Sequence, residues 1–190
     1  YTSPHLNDFC ERIRVGDEMI ARESVVRLVQ KIHDFEEEPL TFFELATAIA
    51  FLYFAEQGVD LAVIEVGLGG RLDATNVVTP LVSVITTIGI DHEAHLGRTV
   101  AAVAREKAGI IKLNIPVVIG PLSIEAAKVV KEVAKDRSAL VVPFDRTKGF
   151  DLPIGLEGEH QRENAAVAIR TVELLREVSP FCPSDEAIRA

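Results

Sequence analysis

At 190 residues, with 48% apolar and 26% charged side chains, the chain has the make-up of an ordinary soluble globular protein and enough apolar mass for one good core. A formal net charge of -9, with the basic residues scattered rather than clustered, excludes the electrostatic footprint of a nucleic-acid binder. No apolar run is long and unbroken enough to span a bilayer and no secretory signal opens the chain; Cys10 and Cys182 lie too far apart for a metal-binding pair, so a cytoplasmic protein with reduced thiols is expected.

The chain begins at Tyr1 without a methionine and ends on Asp185-Glu186-Ala187-Ile188-Arg189-Ala190, a helical pattern cut short; both ends read as cuts through a larger protein. A short hairpin is expected over residues 11–20, with Gly16-Asp17 at its turn. A helix with spaced apolar residues follows over 22–35. After Pro39 comes a second helix, 41–57, that opens with Thr41 and, three residues on, Glu44, a capping-box pattern. Its nearly all-round apolar surface predicts burial.

From there strands and helices alternate. Apolar runs at 61–66, 81–90, 116–119 and 140–142 read as strands, and 100–108 and 123–135 as helices. Residues 67–80 and 145–158 read as loops, and 161–178 as a final helix. Strands apolar throughout and separated by helices predict an α/β fold, a mostly parallel sheet with helices on both faces.

In such sheets ligands bind beyond the carboxyl ends of the strands. Glu65 stands at the end of one apolar run and His92, beside Asp91, just after the next, so parallel strands would bring both to one rim. A carboxylate among aliphatics must be paired, protonated or bound to a cation. Two readings stay open: Glu65 pairs with an arginine such as Arg71 while His92 caps a helix, or the two hold a metal ion. By chemistry alone a glutamate–histidine pair suits manganese or zinc better than magnesium. Gly67-Leu68-Gly69-Gly70 lacks the spacing of a dinucleotide fingerprint, and no phosphate-binding Gly-x-x-x-x-Gly-Lys-Ser/Thr loop occurs. Lys107, at the end of a helix closed by Gly109, has the position of a solvated charge favoured by the helix dipole.

Six segments, taken in order, resemble one family. They are Ser3-Pro4-His5-Leu6, Leu40-Thr41-Phe42-Phe43-Glu44, Glu65-Val66-Gly67-Leu68-Gly69-Gly70-Arg71-Leu72-Asp73-Ala74-Thr75-Asn76, Asp91-His92, Glu106-Lys107-Ala108-Gly109-Ile110 and Gly158-Glu159-His160-Gln161-Arg162-Glu163-Asn164-Ala165-Ala166. Together they are similar to the folylpolyglutamate and dihydrofolate synthases, within the wider group of Mur-type ligases. The resemblance implies the P-loop-NTPase-like central domain of those enzymes without its amino-terminal phosphate-loop unit. Residues 1–178 would then be a partial central ATPase/ligase domain, and 179–190 the start of a linker to a carboxy-terminal domain.

It also implies an ATP-dependent ligase that joins a folate or dihydropteroate carboxylate to L-glutamate through an acyl phosphate. Ser3, Glu65 and His92 are implied as magnesium ligands, Glu65 and His92 also as catalytic residues, and Lys107 as a catalytic lysine carbamylated by carbon dioxide. Thr41, Phe42, Phe43 and Glu44, with Leu72, Asp73 and Ala74, are implied to hold the pterin, and Asn164 to contact ATP. Small-molecule substrates, no nucleic acid, no membrane and a monomeric full-length protein complete the expectation. With the phosphate loop missing, the chain alone is expected not to turn over ATP. The alternatives are another Mur-type amide ligase and a non-catalytic folate-binding remnant.

Overall fold

A computed structural model describes residues 1–35, 37–89, 96–147, 155 and 157–189, and they fall into two compact units, Tyr1–Val77 and Val78–Ala190.

In the first unit a 3-10 turn, Phe9–Arg12, leads into a two-stranded antiparallel hairpin, β1 (Arg14–Val15) and β2 (Glu18–Met19). Gly16 takes the positive φ of 59° that this tight turn requires. The helices α1 (Arg22–His33) and α2 (Phe42–Gln57) follow. The capping box of α2 forms as its sequence predicts: the Thr41 hydroxyl accepts the Glu44 N–H, and the Glu44 carboxylate accepts the Thr41 N–H at 2.8 Å. Gly58, at φ 61°, closes the helix in the left-handed conformation. Ala46, Thr47, Ile49, Ala50 and Phe54 form its buried stripe, packed with Ile13, Ile20 and Leu28 into the core of the unit. The rest of α2 is not fully buried as expected: Leu45, Phe51 and Leu52 are half-buried and Phe42 is 59% exposed. A helix buries the stripe that meets a neighbour, whatever its composition elsewhere.

The second unit is built on a parallel sheet in the order β3 (Ser83–Ile85), β4 (Val117–Ile119), β5 (Val141–Pro143). Val84, Val118 and Val142 stand in register across it. The helices α3 (Val100–Ala108) and α4 (Ile124–Asp136) connect the strands; α5 (Glu159–Val178) and the short α6 (Asp185–Arg189) follow. Successive side chains of β4 point to opposite faces. Val117 and Ile119 pack with Ala108, Val130 and Ala134 of α3 and α4, whereas Val118 packs with Val167 and Leu174 of α5. The sheet is therefore covered by helices on both faces, as its continuous apolar strands predict.

The run at 61–66 forms no strand. Tyr1 N–H donates to Val63 O at 2.8 Å and Glu65 N–H donates to Tyr1 O at 3.0 Å. These two bonds make one rung of parallel spacing, and a single rung is not a ladder. The predicted strand over 81–90 shortens to β3 because Ser83–Ile85 is the stretch paired with β4; Ile90 lies outside the described residues.

Candidate active site

In the first unit the rung at Tyr1 sets Ser3 beside Glu65. Ser3 N–H donates to Glu65 Oε2 at 2.8 Å, and Ser3–Pro4 is a cis peptide bond. Glu65 is exposed, so the expectation of a carboxylate held inside an apolar strand is corrected: with one rung of backbone pairing the run is covered on one side only, where Ile64 packs against the core, and water reaches Glu65. Among the described residues Glu65 forms no ion pair, with Arg71 or any other side chain, which removes that half of the alternative reading. What remains is an exposed carboxylate whose Oε2 accepts the backbone N–H of Ser3, the residue that also carries a hydroxyl. That oxygen donor set fits magnesium, which keeps several of its waters. Among the described residues no three His, Cys, Asp or Glu side chains converge on a point. His92 and Asp91 lie outside the described residues.

The loop after Glu65 is organised by Asp73. Its Oδ2 accepts the N–H groups of Gly67 and Leu68 at 3.0 and 2.9 Å, and its Oδ1 accepts the N–H and hydroxyl of Thr75 at the start of the 3-10 turn Ala74–Val77. Both carboxylate oxygens are thus taken up by the loop's own groups. Gly67 lies against Phe43: a Cβ there would stand 2.4 Å from the ring. Only a residue without a side chain admits the aromatic so close. Phe43 also tilts against Tyr1 at 6.1 Å between centroids. On either side of Asp73 in sequence, Leu72 is exposed and Ala74 half-buried. Thr41 and Glu44 are engaged with each other in the capping box, and the bond from the Thr41 hydroxyl holds the Glu44 carboxyl below its ordinary range.

Sequence reading passed over a group behind Ser3. Arg12 Nε donates to His5 Nδ1 at 2.7 Å, and its guanidinium lies 5.4 Å over the centre of the Phe42 ring. Glu11 accepts the N–H groups of Leu6, Asn7 and Asp8 at 2.8, 3.0 and 2.8 Å. A Glu-Arg pair in a short polar stretch looks like solvated surface; the signal that distinguishes it is the capping box from Asp8 to Glu11, visible in the spacing alone.

In the second unit the described features gather at the carboxyl rim of the sheet. Gly120, just past β4, donates its N–H to Ile85 O at 2.9 Å, and a Cβ on it would stand 2.1 Å from Thr86 O, so no other residue fits there. Arg146, beyond β5, pairs with Glu163 in the first turns of α5 and so ties that helix to the strand exit. Gly158 precedes α5 at φ 114° and offers no side-chain cap, leaving the first N–H groups of a 20-residue helix without one. Such a terminus favours anions. Asn164 stands one turn in, its Nδ2 donating to Gln161 Oε1 at 3.3 Å. Lys107 occupies the last turn of α3, half-buried, its side chain in no hydrogen bond or ion pair among the described residues.

Structure therefore brings Ser3 and Glu65 together, and Thr41 to Glu44 near the Gly67 loop through Phe43, while Lys107 and Asn164 belong to the other unit. No protein-family model matches the chain. Curated relatives do: a folylpolyglutamate synthase of Lacticaseibacillus casei is 36% identical over the whole chain and 51% of its own length. A dihydrofolate synthase/folylpolyglutamate synthase of Bacillus subtilis is 39% identical over the same shares. Among solved structures, a folylpolyglutamate synthase complex with AMPPCP superposes with a TM-score of 0.90 at 36% identity, covering all of this chain and 54% of that one. A complex with AMPPCP and folate gives 0.86 at 37% identity, again over the whole chain and 53% of the other. The chain spans about half the length of the curated relatives it matches. Over the half of their length that it spans, the chain is similar in sequence and in fold to folylpolyglutamate and dihydrofolate synthases.

Proposed function

We propose that this chain supplies the metal- and folate-binding part of an ATP-dependent ligase that joins a folate or dihydropteroate carboxylate to L-glutamate through an acyl phosphate. The observation that carries the reading is the pairing of Ser3 with the exposed Glu65 carboxylate, in a chain related over its full length to synthases of that activity. Ser3 and Glu65 would hold magnesium, whose charge would offset that of phosphate; His92, the further ligand that the resemblance implies, lies outside the described residues. Phe43 and the Asp73 loop, with Thr41, Phe42, Glu44, Leu72 and Ala74, would form the pterin side. There Asp73 acts by fixing the loop backbone, since its oxygens are already committed.

Asn164 and the uncapped start of α5 would face ATP, where oriented N–H groups attract phosphate. Lys107, without a partner among the described residues, is free to carry the carbamate that turns its charge negative. Positioning of the carboxylate, phosphate and amine is then the main contribution of the protein. We assign residues 1–178 to the central ATPase/ligase domain and 179–190 to the start of a linker, in a cytoplasmic protein that is monomeric at full length. No described helix is long and apolar enough to cross a membrane.

The test is phosphate release. The protein translated from the complete gene should release phosphate from ATP when dihydropteroate or folate and L-glutamate are both present, and Lys107→Ala should reduce the rate. Release driven instead by a cell-wall precursor would overturn the folate assignment. The 190-residue chain by itself should release none.

A further inference from the structure

Arg12 is 7% exposed, yet among the described residues no carboxylate meets its guanidinium. Its contacts are the imidazole nitrogen of His5 and the face of Phe42. Removing a cation from water without a counter-charge is costly, and an apolar side chain of similar volume would fill the space at less cost. The arrangement therefore points to what the guanidinium holds. Thr2 N–H donates to Arg12 O at 2.9 Å, and His5 Nδ1 accepts from Arg12 Nε at 2.7 Å. One residue thus grips the chain on both sides of Ser3-Pro4. Its neighbour Glu11 continues the grip, gathering the N–H groups of Leu6, Asn7 and Asp8. The arch between these anchors is the segment that delivers Ser3 to Glu65 Oε2 at 2.8 Å.

We propose that Glu11 and Arg12 are positioning residues for the cation site of Ser3 and Glu65, acting through the clamp on Thr2, His5 and Leu6. The proposal rests on the reading that Ser3 and Glu65 hold the metal ion. Arginine suits the task because its planar fork can stack on Phe42 while its Nε donates in the guanidinium plane; a lysine ammonium, a single point charge, cannot make both contacts in that geometry. Outer contacts of this kind orient metal ligands without touching the ion.

The test uses Mn2+ as probe, bound to the 190-residue chain and followed by its electron paramagnetic resonance signal. Glu65→Gln should abolish the bound signal. Arg12→Lys and His5→Leu should each weaken Mn2+ binding about 10-fold and broaden the spectrum of the bound ion, the scale set by outer-shell contacts elsewhere. His5→Asn, which keeps an acceptor near the Nδ1 position, should restore binding to within about twofold of the parent. If Arg12→Lys fails to fold, the His5→Leu and His5→Asn pair decides the question. Parent-like binding and spectrum in His5→Leu, with Glu65→Gln inactive in binding, would overturn the clamp while leaving the metal assignment standing. Absence of Mn2+ binding in the parent chain, or its survival in Glu65→Gln, would overturn the metal assignment and the clamp with it.

Discussion

Val118 and Val63 both sit in extended apolar runs, yet Val118 is fully buried at the centre of the second unit while Val63 is 79% exposed in the first. The difference lies in backbone pairing. β4 has a strand on each side and a helix layer on each face, so every residue of it is enclosed. Residues 61–66 have a single rung at Tyr1 and no sheet about them. Extended apolar sequence sets where a strand can form; ladder partners decide whether its side chains leave water. The poorly covered run is also the one that carries Glu65, and an open carboxylate is what a cation site needs.

The contrast is broken most severely by placing a charge in each run. Val118→Asp should cost more than about 4 kcal/mol and unfold the second unit, since an unpaired buried carboxylate has nothing to offset its desolvation. Val63→Asp should change stability by less than about 0.5 kcal/mol, as exposed positions usually do. Urea denaturation of the two variants measures the gap; equal losses would mean that 61–66 is as enclosed as β4. Next in size, Leu174→Ala, which empties a 1% exposed site on the α5 face of the sheet, should cost about 2–5 kcal/mol by the same assay.

In the first unit the effects should be smaller and local. Asp73→Ala leaves the N–H groups of Gly67, Leu68 and Thr75 without their acceptor and should cost about 1–3 kcal/mol. Faster amide hydrogen exchange at those three residues, with β4 unchanged, is the expected signature. Thr41→Ala, which removes the cap of α2, should cost about 1 kcal/mol.

The smallest effect should come with acid. The hydrogen bond from Arg27 holds the Glu56 carboxyl at about 2, below its ordinary 4.5. A depressed carboxylate contributes stability that is present above its unfolded value and lost as pH falls through the folded one. The tie from α1 to α2 through Arg27 and Lys31 should therefore weaken between pH 4.5 and about 2. Glu56→Gln should remove that part of the pH dependence in acid denaturation curves.

Much of this was legible in the residues themselves. The hairpin about Gly16, the capping box at Thr41, the helices and the three paired strands all follow from local pattern, because caps, turns and periodicity act over a few residues. The order of six motifs likewise pointed to the synthases that the chain resembles. Three features were not legible. The burial of 61–66 depends on neighbours that periodicity cannot count. The commitment of both Asp73 oxygens to its own loop depends on how that loop turns. Arg12, a charged residue in a polar stretch, is buried only because the turn Phe9–Arg12 folds it under the segment 1–5 and against Phe42.

By itself, then, the sequence determined which segments are helical, which are extended, and which residue types stand at the ends of strands, since those properties are set by contacts within a turn or two. Tertiary structure decided which extended run is enclosed and which is open, and which arginine leaves water to grip the Ser3 arch. Those outcomes rest on pairing between residues as distant as Tyr1 and Glu65, where solvent exclusion is a property of the assembled fold and not of the local chain.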